Sequence, residues 1–224
     1  MIFLIKAVLF DLDGTLVDTL GDLSKGVNAE LSKRGYPIHP KDAFKIFVGN
    51  GIPKMVERAA PKDIDPDELK EITDSFVAYY SVHYADYTEA YSGTAELISA
   101  VKEKGLKVAV VTNKAQGPAE LVVKKFFGDS FDLIFGQMPG IPAKPDPTAA
   151  LLAMEALGVT PNECVFMGDT GVDVETGVNS GAYPVGVLWG FRDEAELKGA
   201  GAKELICNPL ELLSVIDKLN SEEK

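Results

Sequence analysis

The sequence is short of the residues that staple small folds. Its 224 residues include two cysteines and two histidines. Cys164 and Cys207 cannot build a disulfide framework. Each stands in an apolar, strand-like run, so the expectation is two buried free thiols in a reducing cytosol. His39 and His83 are isolated, with no triad around either, and no H-E-x-x-H or G-x-x-x-x-G-K-[ST] motif occurs. His83, inside Tyr79–Tyr84, reads as packing, and the aromatics there as the inner face of a helix. Positive charge is scarce too: 22 Lys and Arg face 34 Asp and Glu, a formal net charge of −12. No basic cluster offers a face for nucleic acid, and an anion site in such a field requires a local cation. Apolar runs fall well short of the roughly 20 residues that span a bilayer. Met1–Phe10 looks superficially like a leader, but it has no basic start and no small-residue cleavage site, and Asp11 and Asp13 end it. A soluble cytoplasmic chain with no membrane or nucleic-acid partner is expected; nothing selects monomer or dimer.

What is present is an ordinary globular composition, 46% hydrophobic and 25% charged, long enough for one large domain or a core with an insert. Strand-length apolar runs recur at Ile5–Phe10, Leu106–Thr112, Phe131–Phe135, Cys164–Gly168 and Pro184–Val187, with a weaker one at Glu204–Ile206. They are continuous rather than alternating, as in parallel strands covered on both faces. Helical patterns lie between them at Thr94–Lys104, Gly117–Phe127, Pro147–Leu157, Val172–Ser180 and Pro209–Leu219. This alternation predicts an α/β chain with an open parallel sheet and right-handed crossovers.

The alternation breaks once. From Val17 to Tyr87 the patterns are helical: Leu16–Arg34, Lys41–Val48, Pro53–Ala60 and Pro66–Tyr84, separated by Pro37, Gly49-Asn50-Gly51 and Pro61. An all-helical insert after the first strand reads as a cap. The expected division is 1–16 with 88–224 as core and 17–87 as cap, with residues 220–224 frayed.

Chemistry concentrates after the strands. Asp11-Leu12-Asp13-Gly14-Thr15 follows the first, where sites of open α/β sheets form. Two carboxylates two residues apart on an extended segment can face one cavity, while Gly14 lets the chain turn. Such a pair either binds a hard cation or divides nucleophile and acid/base roles; a solvated turn would use the same residues. Gly168-Asp169-Thr170-Gly171-Val172-Asp173 again sets acids after a strand, and a helix starting at Thr170 or Gly171 would turn both inward. A helix cap explains either acid singly. It does not explain acids after two strands, whose repulsion calls for a cation, Mg²⁺ by donor type. Thr112-Asn113-Lys114 ends another strand with a hydroxyl and an amide, before a helix N-terminus suited to an anion. Lys144 sits in the proline-stiffened turn Ala143-Lys144-Pro145-Asp146-Pro147.

These four motifs, in order, resemble those of the haloacid dehalogenase superfamily of aspartate-nucleophile phosphatases, and the insert resembles that superfamily's first-position cap. The resemblance implies a Rossmann-like α/β core with an inserted all-helical cap. By it Asp11 would be the nucleophile, forming an aspartyl-phosphate. Asp13 would protonate the leaving alcohol and then deprotonate water. Asp11, the Asp13 carbonyl and Asp169 would hold Mg²⁺, and Asp173 would orient the groups around it. Thr112 and Asn113 would bond the phosphoryl oxygens, and Lys144 would balance the charge of phosphate and nucleophile. The Asp at position 13 disfavours the dehalogenases and the P-type ATPases of the superfamily.

Val48–Ala59 is similar to the cap segment of bacterial phosphoglycolate phosphatases, which implies 2-phosphoglycolate as substrate and Gly49, Asn50 and Gly51 as residues that select it. Pro53 suits a first helical turn whose free N–H groups would receive a small acid. Lys54 and Arg58 read better as the wet face, opposite Ile52, Met55, Val56 and Ala59. The loop Gly136–Pro142 departs from the family pattern and bears on access to the site. Three other readings stay open: a phosphatase for another small phosphate ester, a sugar phosphomutase, or a signalling protein phosphorylated on an aspartate, although receiver domains need about half this length.

Overall fold

Continuous apolar strands require cover on both sheet faces. The computed structural model, which describes residues 4–221, sets six of them side by side. In chain order the strands are β1 (Ala7–Phe10), β2 (Val17–Asp18), β3 (Glu89–Ala90), β4 (Lys107–Ala115), β5 (Leu133–Gln137), β6 (Cys164–Gly168), β7 (Tyr183–Val187) and β8 (Glu204–Ile206). The helices are α1 (Leu20–Lys33), α2 (Phe44–Phe47), α3 (Ile52–Ala59), α4 (Pro66–His83), α5 (Thr94–Glu103), α6 (Gln116–Phe127), α7 (Thr148–Leu157), α8 (Gly171–Ser180), α9 (Glu194–Gly199) and α10 (Glu211–Ser221). The chain divides into two units. One takes the chain through Val17 and again from Ala90; the other is Asp18–Glu89.

In the first unit the sheet runs β5-β4-β1-β6-β7-β8, every neighbouring pair parallel. β1 is central and wholly buried. On one face Ala7 and Leu9 join Ala109, Val111, Cys164 and Phe166 against Ala149, Ala150, Ala153 and Met154 of α7. Phe10 is level with Val110 of β4 and Met167 of β6; β6 ends one residue further on, whereas β4 runs on to Ala115. Strand order reverses at β1, because β4 and β5 build outward on one side and the chain returns to lay β6 on the other. Such a switch point is where open α/β sheets bind ligands.

The second unit is helical. In α1, Leu20, Leu23, Val27 and Leu31 are buried, and α4 buries Ile72, Phe76 and Tyr80 at four-residue spacing. Gly26 admits the close approach of α4, since a Cβ there would lie 2.7 Å from Phe76. Asp65 caps α4 through the amides of Asp67 and Glu68. In α3, Met55, Val56 and Ala59 are buried while Lys54 and Arg58 are exposed.

Several expectations need correction. β4 runs to Ala115 through a register shift after Val111, so Thr112–Lys114 lie in the strand. Cys164 is buried, but Cys207 is exposed; β8 stops at Ile206, and Cys207 begins a turn whose N–H donates to Glu211. His83 lies on the flank of α4, stacked on Tyr79 and bonded to Asp86, while Tyr80 takes the interior. α10 continues to Ser221, and Asn220 accepts the Ile5 N–H, so the fraying expected from 220 does not begin there; 222–224 lie outside the described residues, as do Met1–Phe3 of the leader-like segment. α9 and the two-residue β2 and β3 carry too little periodicity to be read in advance. The Gly136–Pro142 loop is tied down, with the Gln137 amide donating to Met138 and Ile141 carbonyls and Ile141 against the core. Among the described residues no helix is long and apolar enough to cross a membrane.

Candidate active site

Asp11 continues the β1 ladder through its N–H to the Met167 carbonyl, 2.9 Å away. The chain then turns sharply: the Leu12 carbonyl accepts the amides of Leu16 and Val17, and Gly14 takes a φ of +93° that an L side chain rarely adopts. A Cβ on Gly14 would lie 2.3 Å from Asp169 Oδ2, so the glycine also makes room for the acid that follows β6.

Asp11, Asp169 and Asp173 are all buried, with carboxylate oxygens within 4.8 Å of one another. Lys144 reaches into them from its loop, and its Nζ donates to Asp11 Oδ1 at 2.7 Å, Asp173 Oδ1 at 2.6 Å and the Val111 carbonyl at 2.9 Å. Asp169 accepts from the Thr15 hydroxyl at 3.0 Å and the Phe191 N–H at 2.8 Å. Asp173 is the third residue of α8, and its Oδ2 accepts from the N–H and hydroxyl of the N-cap, Thr170. Asp173 is thus a helix-cap residue and a member of the acidic cluster at once, and the cap is Thr170 rather than Asp169.

Burial and the charge of Asp173 push the Asp11 carboxyl up to about 7, against the opposing pull of Lys144. Asp169 is raised well above the usual carboxylate range by burial, Asp173 and Asp11. Burial alone would lower the Lys144 ammonium, but Asp11 and Asp173 reverse that and hold it above its ordinary value. Three carboxylates against one ammonium leave two formal negative charges in a closed space. Oxygen donors with that balance fit a hard divalent cation.

Asp13, Thr112 and Asn113 also gather here, whereas Gly49, Asn50 and Gly51 do not. Asp13 pairs with buried Lys114. The Thr112 hydroxyl accepts the Lys114 N–H at 3.2 Å. Asn113 is bonded to the Lys144 main chain on both sides, Oδ1 to its N–H at 2.8 Å and Nδ2 to its carbonyl at 3.2 Å, which seats the lysine. Gly49, Asn50 and Gly51 belong to the helical unit. There Gly49 and Gly51 have φ of +114° and +83°, and the Arg58 guanidinium donates to Asn50 Oδ1 and the Phe47 carbonyl.

Sequence reasoning passed over the segment after β7. The Trp189 indole N–H donates to the Thr15 carbonyl, Phe191 holds Asp169, and Gly190 between them has no room for a side chain: a Cβ would lie 2.2 Å from Asp169 Cβ. The chain's single tryptophan at the end of a strand was the available signal. The sequence names Lys114 in the Thr112-Asn113-Lys114 stretch but carries no sign of its ion pair with Asp13.

Buried acids after β1 and β6, a buried lysine and the Thr112 hydroxyl in β4 thus surround one place at the strand ends. The chain belongs to the haloacid dehalogenase-like hydrolases, whose family model matches residues 5–181. It is 32% identical to an N-acetylmuramic acid 6-phosphate phosphatase of Pseudomonas aeruginosa, over 96% of each chain. It is 30% identical to a phosphoglycolate phosphatase of Haemophilus influenzae, over 94% of this chain and 98% of that one. A solved structure, a predicted phosphoglycolate phosphatase from Haemophilus somnus, superposes with a TM-score of 0.88 at 25% identity, covering 94% of this chain and 97% of that one. The protein is a phosphoric monoester hydrolase of this family.

Proposed function

We propose that the protein is a Mg²⁺-dependent, cytoplasmic phosphatase of the small metabolite 2-phosphoglycolate, working through an aspartyl-phosphate on Asp11. The observation that carries this reading is the Lys144 bridge between Asp11 and Asp173 with Asp169 alongside. Asp11, the Asp13 carbonyl and Asp169 would hold the cation, with Asp173 and Lys144 fixing their surroundings. When bound, Mg²⁺ supplies positive charge for the phosphoryl oxygens and favours ionised Asp11.

The chain's own groups would do the rest. An Asp11 oxygen attacks phosphorus as the bond to the ester oxygen breaks, and the Asp13 carboxyl gives its proton to that oxygen. Asp13, now a carboxylate, takes a proton from water as it attacks the aspartyl-phosphate, and phosphate leaves with Asp11 restored. Thr112 offers a hydroxyl to the phosphoryl group, and Lys144 offsets charge beside the nucleophile. Asn113 contributes by seating Lys144. The helical unit would be the cap, choosing the ester through Gly49, Asn50 and Gly51.

Phosphoglycolate phosphatases among the relatives support the substrate, together with the Val48–Ala59 segment. A second reading, a phosphorylated amino sugar acid, is favoured by the relative that is 32% identical over 96% of both chains. The test is phosphate release from an ester panel holding both compounds, with Mg²⁺ or EDTA, beside Asp11→Asn. The expected result is highest kcat/KM for 2-phosphoglycolate, with EDTA and Asp11→Asn inactive and the variant folded, since it removes charge from a crowded cluster. Preference for the sugar ester moves the substrate alone. An isomerised sugar phosphate in place of free phosphate makes the protein a mutase. Turnover in EDTA or by Asp11→Asn overturns the mechanism.

A further inference from the structure

We propose that Lys114 is a positioning residue for Asp13, holding the carboxyl that serves the leaving oxygen; this rests on the acid/base reading of Asp13 above. The geometry is specific. Lys114 Nζ stands 3.0 Å from Asp13 Oδ1 and 3.1 Å from Oδ2, gripping both oxygens. The lysine side chain is 3% exposed, whereas Asp13 is 21% exposed. Burying an ammonium is costly unless it is paired, so this is not a surface ion pair formed in passing.

The supports of the two partners differ. Lys114 lies on β4, and its N–H is bonded to Thr112 Oγ1. Its neighbour Asn113 is locked to the Lys144 main chain. Asp13 lies on the turn after β1, before Gly14. A carboxyl on a turn can adopt several rotamers, whereas proton transfer needs it placed to about 0.5 Å. A fixed cation on the neighbouring strand supplies that placement, and displacement of a reacting group by about 1 Å can cost on the order of 100-fold in rate.

A merely structural tie between the β1 turn and β4 would slow every substrate alike. A tie that places the proton donor matters in proportion to the basicity of the leaving oxygen. An alkyl ester needs the proton; p-nitrophenyl phosphate, whose phenolate is a good leaving group, needs it far less. The experiment compares first-turnover release of the alcohol from the fastest alkyl ester of the panel and from p-nitrophenyl phosphate, in the wild-type chain, Lys114→Met, Lys114→Arg and Asp13→Asn. We expect Lys114→Met to lower the alkyl-to-aryl rate ratio at least tenfold, in the same direction as Asp13→Asn, and Lys114→Arg to recover it to within threefold. If Lys114→Met does not fold, Lys114→Gln takes its place. An unchanged ratio in Lys114→Met while Asp13→Asn shifts it overturns the proposal alone. A change confined to KM for the alkyl ester also overturns it, assigning Lys114 to substrate binding. An unchanged ratio in Asp13→Asn overturns the acid/base reading and this proposal with it.

Discussion

The turns after β1 and β6 and the Gly49–Gly51 loop are all short, polar and built on glycine, yet they are secured differently. Asp11, Asp169 and Asp173 are buried, and each is held by groups that are themselves held: Lys144 by Asn113, Asp173 by the α8 N-cap, Asp169 by Thr15 and Phe191. The Gly49–Gly51 loop is half-buried, and Asn50 is secured by the exposed Arg58. Groups that act on every phosphate ester need one geometry, and burial in a close-packed interior enforces it. The role proposed for the Gly49–Gly51 loop suits a surface position, where substitutions cost little stability.

The strongest way to break this contrast is at Lys144. In Lys144→Met two buried carboxylates lose their counter-charge, so stability should fall by about 3–5 kcal/mol, with hydrolysis lost and Mg²⁺ restoring part of the unfolding midpoint. Thermal unfolding in EDTA and in Mg²⁺ checks this; a variant as stable as the wild type in EDTA would mean the cluster is not held as described. Next comes Gly190→Ala, which adds one methyl group 2.2 Å from Asp169 Cβ. Overpacking of this kind costs about 1–3 kcal/mol. Displacement of Asp169 should also weaken Mg²⁺ binding at least tenfold by calorimetry, and unchanged affinity would show that Asp169 is not a ligand. The smallest effect belongs to Arg58→Ala. Its three exposed hydrogen bonds are worth about 1 kcal/mol or less each in stability, but release of Asn50 should raise KM for the preferred ester roughly threefold to tenfold with a smaller change in kcat. Full steady-state curves separate the two, and a fall in kcat alone would move this loop out of substrate choice.

The acidic cluster was legible because its members sit next to strands. Asp11 directly follows β1, Asp169 follows β6, and Asp173 is one helical turn beyond, so strand ends predicted from apolar runs located them. Lys144 was readable from its prolines. Lys114 was not, because the apolar run stopped at Thr112 while β4 continues to Ala115 through a register shift, and no local pattern reports an ion pair between residues 101 positions apart. The lone tryptophan marked the place of Trp189, Gly190 and Phe191 but not their role, which is defined by Thr15 and Asp169, far off in the chain.

By itself the sequence determined the parallel α/β alternation, the helical segment between β1 and β4, and the identity of the acids at the strand ends, because periodicity and strand termini are local properties. Only the tertiary structure decided how Asp11 and Asp173 share Lys144, why Asn113 faces Lys144, and that Lys114 and the Trp189–Phe191 segment lie against these acids. Those facts depend on strands brought together across the sheet, where burial turns separate charges into a coupled cluster.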